Sequence, residues 1–511
     1  MAASSFVGSA PHVTVVGAGL VGLTSAHSLL CRGFRVTILD RRSHVASECS
    51  FGNAALLMTS YSRPKTATVS QLLRWAITRS EPVHISWRAM IDPAMVSFGL
   101  RFLLAGPQKD TEIKRATQIT SSLASASVEL LDCILEERSM ATTSTNNGLL
   151  MFFTDAAKMK ALFAEAEEVL THEQMQELLK VLTPDECVSL EPKLASRKRD
   201  LVGGLFWPKD RTMCSLSFAR ELACKLEQSG VKFELNEEVT SACCTGGEHY
   251  VSLASGRLLR TDAVVVAAGV GSGHLLKKLS PVGPPGLSAV PLYGMRGHSL
   301  TVEASHLCRE DDRVLQRSIA DCDSMTFYSP LPENSSRPQE KLLRIAGFGD
   351  FDGWGFGPGA VRPWRLQQLR DAAEKTFGPD LWAGHKADRK LSGEIVNPPD
   401  LIPENDSSTT WCGLRPMSPD GLPLVGRLLG KGNNRTGLPL FVNAGHGALG
   451  WTLSAASGEL LAETVSREML NTSCDNLHNP VSEGLYEVLS SLDPNRFRWP
   501  VVLKKALSAS E

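Results

Sequence analysis

Val13-Thr14-Val15-Val16-Gly17-Ala18-Gly19-Leu20-Val21-Gly22 runs from a short apolar, β-branched stretch directly into the spacing G-x-G-x-x-G. Leu23 to Leu30 then reads as a helix. A second apolar run, Arg35-Val36-Thr37-Ile38-Leu39, ends on Asp40, eighteen positions after Gly22. Each part has a physical task. Gly17 permits the tight turn, Gly19 lets the backbone approach a pyrophosphate, and Gly22 lets helix and strand pack closely. Ala18, Leu20 and Val21 belong to the same turn, whose helix N-terminus offers unpaired N–H groups and a positive dipole end. Asp40, followed by Arg41, is placed to accept hydrogen bonds from a ribose diol. Strand, glycine turn, helix and acid in this order indicate a dinucleotide site; the alternative is a glycine turn used for packing alone in another α/β fold.

Composition sets mild bounds. The chain has 511 residues, 42% hydrophobic and 21% charged, with formal net charge −2. That balance suits a globular protein with more than one core and argues against a nucleic-acid-binding surface. Twelve cysteines are scattered with no C-x-x-C pair and no histidines at zinc spacing, so no metal site is expected and the thiols read as free in a reducing compartment. Residues 1–12 lack the arginines and apolar stretch of a targeting peptide. Cytoplasm is the expected location, with an organelle matrix such as the mitochondrial one as the alternative. The most apolar window, Ile85 to Gly106, contains Arg88, Asp92, Pro93 and Arg101. It reads as a buried or amphipathic helix pair broken at Pro93, not as a membrane span.

Helical patterns dominate from Ser70 to Glu137. From Gly148 short β-like runs appear, at 148–153, 203–207, 297–302, 325–329 and 342–348, interleaved with amphipathic helices at 156–171 and 215–229. This texture predicts a second domain on a mixed or antiparallel sheet. The stretches 279–291 and 330–341 read as a crossing linker and a surface loop. Two later segments return to dinucleotide-fold texture. One is 231–235 followed by Asp262-Ala263-Val264-Val265-Val266-Ala267-Ala268-Gly269. The other is Leu440 to Trp451, a strand, a turn carrying Gly445, Gly447 and Gly450, and a helix from Thr452 to Glu468. The second glycine turn leaves backbone bare at a helix N-terminus, a second place to bind an anionic or carbonyl group.

Taken together, these motifs resemble the small-subunit type of D-amino-acid dehydrogenase within the D-amino-acid oxidase and glycine oxidase superfamily of flavoproteins. The fingerprint, the loop Ser50-Phe51-Gly52-Asn53-Ala54, the strand end Ala267-Ala268-Gly269, the run Gly413-Leu414-Arg415-Pro416-Met417-Ser418-Pro419-Asp420-Gly421 and the turn Asn443 to Trp451 match in order from about His12 to Thr464. The resemblance implies a Rossmann-like FAD-binding domain of the glutathione-reductase type, with an interleaved α+β substrate domain. The expected FAD-binding segments are 10–105, 205–290 and 395–475. The expected substrate-domain segments are 106–204 and 291–394, with a C-terminal extension over 476–511. It implies FAD rather than NAD, and three distant nucleotide-like segments suit a long cofactor better than one compact nicotinamide domain. On this reading Gly17, Gly19, Gly22 and Asp40 hold the ADP half, with Ala268 and Gly269 on its adenine side. Ser50 and Asn53 hold the middle, and the turn Gly445 to Gly450 faces the flavin pyrimidine edge.

The implied reaction is oxidative deamination of a D-amino acid by hydride transfer from Cα to flavin N5, giving a 2-oxo acid and ammonia. Electrons would leave to a quinone or protein carrier, with at most peripheral membrane contact. Such chemistry needs the carboxylate held so that Cα–H meets the flavin, and a planar arginine fork is the natural clamp. Arg415 is the expected clamp and His446 the other candidate catalytic residue, through its ring or its backbone. Cys412, near a cysteine that carries covalent flavin in some relatives, stands one position out of register. Asp210-Arg211-Thr212 reads as a helix-capping turn. Two departures bear on substrate: Ala55-Leu56 replace a frequent Gly-Gln, and His298 replaces a frequent Tyr. Other amines (D-hydroxyproline, glycine, sarcosine or an opine) remain as substrates, and a non-catalytic FAD-binding protein is the alternative of a different class.

Overall fold

The computed structural model describes residues 10–59, 69–79, 81–105, 110–142, 144–279, 290–308, 313–331, 341–353, 362–382, 409–428, 437–470 and 488–497. Most of the stretches expected at 279–291 and 330–341, and most of the C-terminal extension, lie outside these residues.

The opening stretch folds as its spacing dictates. His12–Val16 is a strand, Leu20–Cys31 a helix, and Arg35–Asp40 the next strand, parallel to the first. Val13 to Val16 are buried, as expected of a central strand covered on both faces. The six-stranded sheet runs Lys232–Leu235, Arg35–Asp40, His12–Val16, Ala263–Val266, Leu440–Ala444, Leu424–Arg427. Its first five strands are parallel and the last is antiparallel. The segments near Val231, Val264 and Phe441 thus return to the sheet that the fingerprint begins.

The fingerprint helix is buried over most of its surface because a second helix, Gly450–Leu470, crosses it closely. At the crossing Gly458 faces Thr24 and Ser25, where an added Cβ would lie 2.9 Å from Ser25 N, and Thr24 Oγ1 donates to Ser454 O at 2.8 Å. A third helix, Asp110–Glu137, completes this layer with Ile119, Leu123, Leu131 and Ile134 in the same core as Leu23 and Leu29. Each such side chain, fully buried, contributes about 1.5–3 kcal/mol.

A nine-stranded mixed sheet forms the other body. It runs Thr409–Met417, Tyr293–Glu303, Leu342–Phe351, Thr326–Pro330, Ser318–Asp321, Leu149–Phe153, Gly203–Trp207, Lys180–Leu182, with Val83–Ile85 added in parallel beside Leu342–Phe351. These distant pairings correct the expected division of the chain. The helix Asp110–Glu137, expected with the substrate domain, packs on the nucleotide-type layer. Val83–Ile85, Gly203–Trp207 and Thr409–Met417, expected wholly or in part with the FAD-binding domain, belong to the nine-stranded sheet. Sequence continuity suggested the boundaries, but pairing partners as far apart as Val83 and Gly349 set them.

Pro93 does break a helix pair: Trp87–Met90 precedes it, and it begins Pro93–Ala105, a position where its missing N–H costs nothing. The pair is amphipathic. Its inner side, with Ala89 and Phe98, packs on Tyr293 and Met295, while Trp87, Ile91, Val96 and Leu100 are exposed. Among the described residues no helix is long and apolar enough to cross a membrane.

Candidate active site

The glycine turn is built by close approach. Gly17 sits at φ +118°, and a Cβ there would lie 2.4 Å from Ala267 O; one at Gly22 would lie 1.8 Å from Gly17 O. Neither position admits a side chain. Gly19 is the helix N-cap and supplies no side-chain cap; Ser50 Oγ accepts from Leu20 N instead, at 3.2 Å. Asp40 has a structural task of its own. Its carboxylate accepts Ala18 N at 2.7 Å and Arg42 N at 2.8 Å, so it holds the glycine turn to the end of its own strand. Burial raises its pKa, and these two N–H donors oppose the rise.

One continuous cavity of about 450 Å³ joins the fingerprint to the far sheet. Of the expected cofactor residues, Gly17, Gly19, Leu20, Val21, Asp40, Arg41, Ser50, Asn53, Ala268, Gly269, Gly447 and Gly450 line it, and so do Arg415 and His446. Ala18, Gly22 and Gly445 do not. Ala18 is fully buried and holds Asp40, Gly22 packs on Gly17, and Gly445 packs against Leu424 and Leu292. They shape the walls without forming them. Asn53 turns its Oδ1 to Ala55 N and Ser215 Oγ, at 2.9 and 3.0 Å, and thereby stabilises Ala55 at φ +57°. Its side chain is a turn device, and only its remaining surface faces the cavity.

At the far end Arg415 lies on the edge strand Thr409–Met417, antiparallel to Tyr293–Glu303 and paired with Met295. Two positions along, Gly413 pairs with Gly297. A Cβ on Gly297 would lie 2.6 Å from Arg415 Cζ, so the guanidinium lies flat against a bare backbone. Arg415 Nη1 donates to Phe348 O at 2.6 Å. That carbonyl is aimed by a bulge: the register with Leu342–Phe351 shifts between Arg296 and His298, leaving Phe348 at φ +61°. Among the described residues no carboxylate pairs with Arg415. Burial lowers its pKa, while Cys49 and Asp350 pull the other way; a guanidinium stays charged even so. A buried fork with donors to spare is suited to an incoming carboxylate.

Trp411, on the same strand face, was not anticipated from sequence. Its indole covers both Gly413 and Gly52, where an added Cβ would come within 2.2 and 2.7 Å of the ring. Trp411 Nε1 and Asn443 Oδ1 belong to cavity-lining residues, and both are buried without a hydrogen-bond partner. An orphaned donor and an orphaned acceptor in one cavity fit a ligand with polar groups along its length, as FAD has. The repeated small residues at 52, 297 and 413 were the available signal for this arrangement.

Strand alternation decides two other positions. Gly297 faces Arg415, so His298 points to the opposite side of the sheet. There His298 Nε2 donates to Asp350 at 2.9 Å, and Arg365 from the helix Pro363–Phe377 grips the same carboxylate at 2.6 Å. His298 borders the cavity as part of the wall, and its ring serves a buried ion-pair network. Cys412 likewise faces away from Arg415 and lies 3.5 Å from Arg296 Nη1. Asp210 is not a helix cap. It accepts Thr59 N at 2.8 Å, and Cys214 is the N-cap of Ser215–Gln228.

The second glycine turn follows Leu440–Ala444, with Gly445 at φ +84° and Gly447 at φ +56°. A bridge between Met417 and His446 joins it to the Arg415 strand. His446 Nε2 lies 2.9 Å from Ser457 Oγ, and Ser457 Oγ is also 3.1 Å from Ser454 O. Burial depresses the His446 pKa to about 3, which keeps the ring neutral. The ring is thus hydrogen-bonded into the helix Gly450–Leu470, while His446 also borders the cavity.

Comparison with known proteins places this architecture. The family described as FAD dependent oxidoreductase matches residues 12–464. A D-amino acid dehydrogenase of Paramagnetospirillum magneticum is 30% identical over 467 residues, 91% of this chain and 97% of that protein. D-amino acid dehydrogenase 2 of Pseudomonas aeruginosa is 32% identical over 461 residues, 90% and 95% of the two chains. Among solved structures, glycine oxidase from Geobacillus kaustophilus superposes with a TM-score of 0.57 at 20% identity, covering 91% of this chain and 99% of that one. L-proline dehydrogenase from P. horikoshii superposes with a TM-score of 0.60 at 16% identity, covering 96% and 98%.

Proposed function

The chain belongs to the family of FAD dependent oxidoreductases, and from that premise we propose that it oxidatively deaminates D-amino acids, with Arg415 as the carboxylate clamp. The observation that carries this reading is the buried, charged Arg415 laid on Gly297 beside a cavity that continues to the dinucleotide fingerprint. A scaffold that only bound FAD would have no use for such a clamp. The choice of D-amino acids rests on what the relatives of about 30% identity are named.

In this reading Gly17, Gly19, Leu20, Asp40 and Arg41 hold the ADP half of FAD, and Ala268 and Gly269 flank it. Ser50 holds the middle, and the backbone of 446–450 meets the isoalloxazine. Bound FAD supplies the two-electron acceptor for the Cα–H bond. The protein's own part is placement. Arg415 fixes the carboxylate, Phe348 O fixes Arg415, and Trp411 closes the wall over Gly52 and Gly413. A fixed carboxylate leaves one enantiomer able to present both its hydrogen and its side chain correctly, a positional effect of the near-attack kind. With the amine neutral, its lone pair assists loss of hydride and no side chain need touch Cα. Water then releases the 2-oxo acid and ammonia. Turnover with a dye acceptor across paired D- and L-amino acids, glycine, sarcosine, D-hydroxyproline and carboxylate-free amines tests this. Preference for L-enantiomers, or equal rates on amines without a carboxylate, would overturn it.

The electron acceptor we propose is a quinone reached at a membrane surface. Of the described large apolar side chains that are exposed, Ile77, Trp87, Met90, Ile91, Val96, Leu100, Leu103 and Leu104 share one short segment. Arg88 lies over the Trp87 ring, the pairing of aromatic and cation that suits a headgroup layer. The buried side of the same segment packs on Tyr293 and Met295, beside the Arg415 strand. Co-sedimentation with anionic vesicles, lost on Trp87→Ser with Ile91→Ser, is the expected result. Stoichiometric peroxide formed by air as fast as turnover would make the protein an oxidase instead. A cytoplasmic or matrix location is part of this proposal and rests on the scattered spacing of the cysteines in the sequence.

A further inference from the structure

We propose that His27, Cys31 and Glu137 form a binding site for a zinc-class divalent cation that fastens the end of the fingerprint helix to the end of the helix Asp110–Glu137. The site lies on the opposite end of the fingerprint helix from the glycine turn and is independent of the cavity.

His27 and Cys31 stand one turn apart on Leu20–Cys31, a spacing that puts both side chains on one face. Glu137 arrives from the last residue of Asp110–Glu137. The ligating atoms of the three lie within 4.8 Å of one another, with Cys31 Sγ 3.8 Å and Glu137 Oε2 3.7 Å from His27 Nε2. A tetrahedral Zn²⁺ with its usual bond lengths needs about 3.5 Å between N and S and about 3.3 Å between N and O. For the two pairs that include His27 the required closure is a few tenths of an ångström; Cys31 Sγ and Glu137 lie within 4.8 Å of each other, and both are exposed side chains free to close the rest. The imidazole, thiol and carboxylate set selects zinc-class ions over Mg²⁺ or Ca²⁺, which take oxygen ligands. A cysteine thiol carries its proton at neutral pH. Binding replaces that one proton: Zn²⁺ joins the sulfur and H⁺ leaves to solvent.

The charged groups around the thiol are Glu137, Arg138 and, from Gly450–Leu470, Glu459. Arg138 is the competitor. Its Nη2 lies 3.8 Å from Cys31 Sγ, but its Nη1 already donates to Ser229 Oγ at 2.9 Å, so it has a partner to keep when a metal takes the sulfur.

The test is calorimetric titration of the FAD-loaded protein with Zn²⁺, and Co²⁺ absorption as a reporter of thiolate ligation. One equivalent should bind at neutral pH, with a sulfur-to-cobalt charge-transfer band and release of one proton to solvent. Cys31→Ser and Glu137→Gln, both at exposed positions, should each weaken that equivalent by roughly 10–100-fold or more. Arg138→Gln should tighten it. No bound equivalent, a missing charge-transfer band, or binding that Cys31→Ser leaves unchanged would each overturn the site.

Discussion

Gly297→Ala separates what the fold needs from what the clamp needs. The added methyl would sit 2.6 Å from Arg415 Cζ and Nη2 and 3.1 Å from Nε. Ordinary van der Waals contact begins near 3.4 Å, so the guanidinium must retreat by roughly 0.8–1 Å. For folding this is cheap. Gly297 is not at a left-handed φ, so alanine adds no backbone strain, and the atoms in the way are the far end of a flexible side chain. For catalysis it is not. Arg415 would lose its 2.6 Å contact with Phe348 O, and a displacement of about 1 Å in a positioning group can cost on the order of 100-fold in rate, about 2.7 kcal/mol of barrier. The expected outcome is near-normal melting temperature and FAD content, with kcat/KM for D-amino acids down by roughly 100-fold and a much smaller change for carboxylate-free amines. Dye-linked turnover beside thermal melts reads both halves. Full activity on amino acids would show that the guanidinium is not held by this wall. An equal loss on both substrate types would show that its role is not to bind a carboxylate.

Arg415→Ala removes the charge-assisted fork and should cost about 2–5 kcal/mol of transition-state stabilisation on amino acids while FAD is retained; loss of FAD along with activity would reassign it to the cofactor. Asp40→Ala should weaken FAD retention more than it slows the flavin-loaded enzyme, because the carboxylate both borders the cavity and holds Ala18 N and Arg42 N; equilibrium dialysis against FAD at unchanged affinity would contradict this. His446 predicts a pH dependence of stability. Its folded pKa of about 3 lies below the unfolded value of 6.5, so the unfolded chain takes up the proton first as pH falls. The contribution is complete above pH 6.5 and is lost toward pH 3, at up to about 1.4 kcal/mol per pH unit. Denaturant melts of His446→Gln should show a shallower decline over that window; an identical slope would mean the ring is not held neutral.

Local spacing is what the sequence by itself determined. The first strand, the glycine turn, its helix and the acid at Asp40 follow from residues within thirty positions of one another, and the steric rule at Gly22, packed on Gly17, acts over that range. The later strands near Val264 and Phe441 were legible for the same reason, since a buried parallel strand is a continuous apolar run. What only the tertiary structure decided depends on pairing between distant segments. Trp411 covers Gly52 because a strand and a loop more than three hundred residues apart meet. Gly297 supports Arg415 because two antiparallel strands align them in one register, and that register sends His298 to the opposite face, where Asp350 and Arg365 engage it. A side chain's face is fixed by the phase of its strand, and the phase is set by the partner strand and by the bulge at Phe348, neither of which is written in the residues next to it.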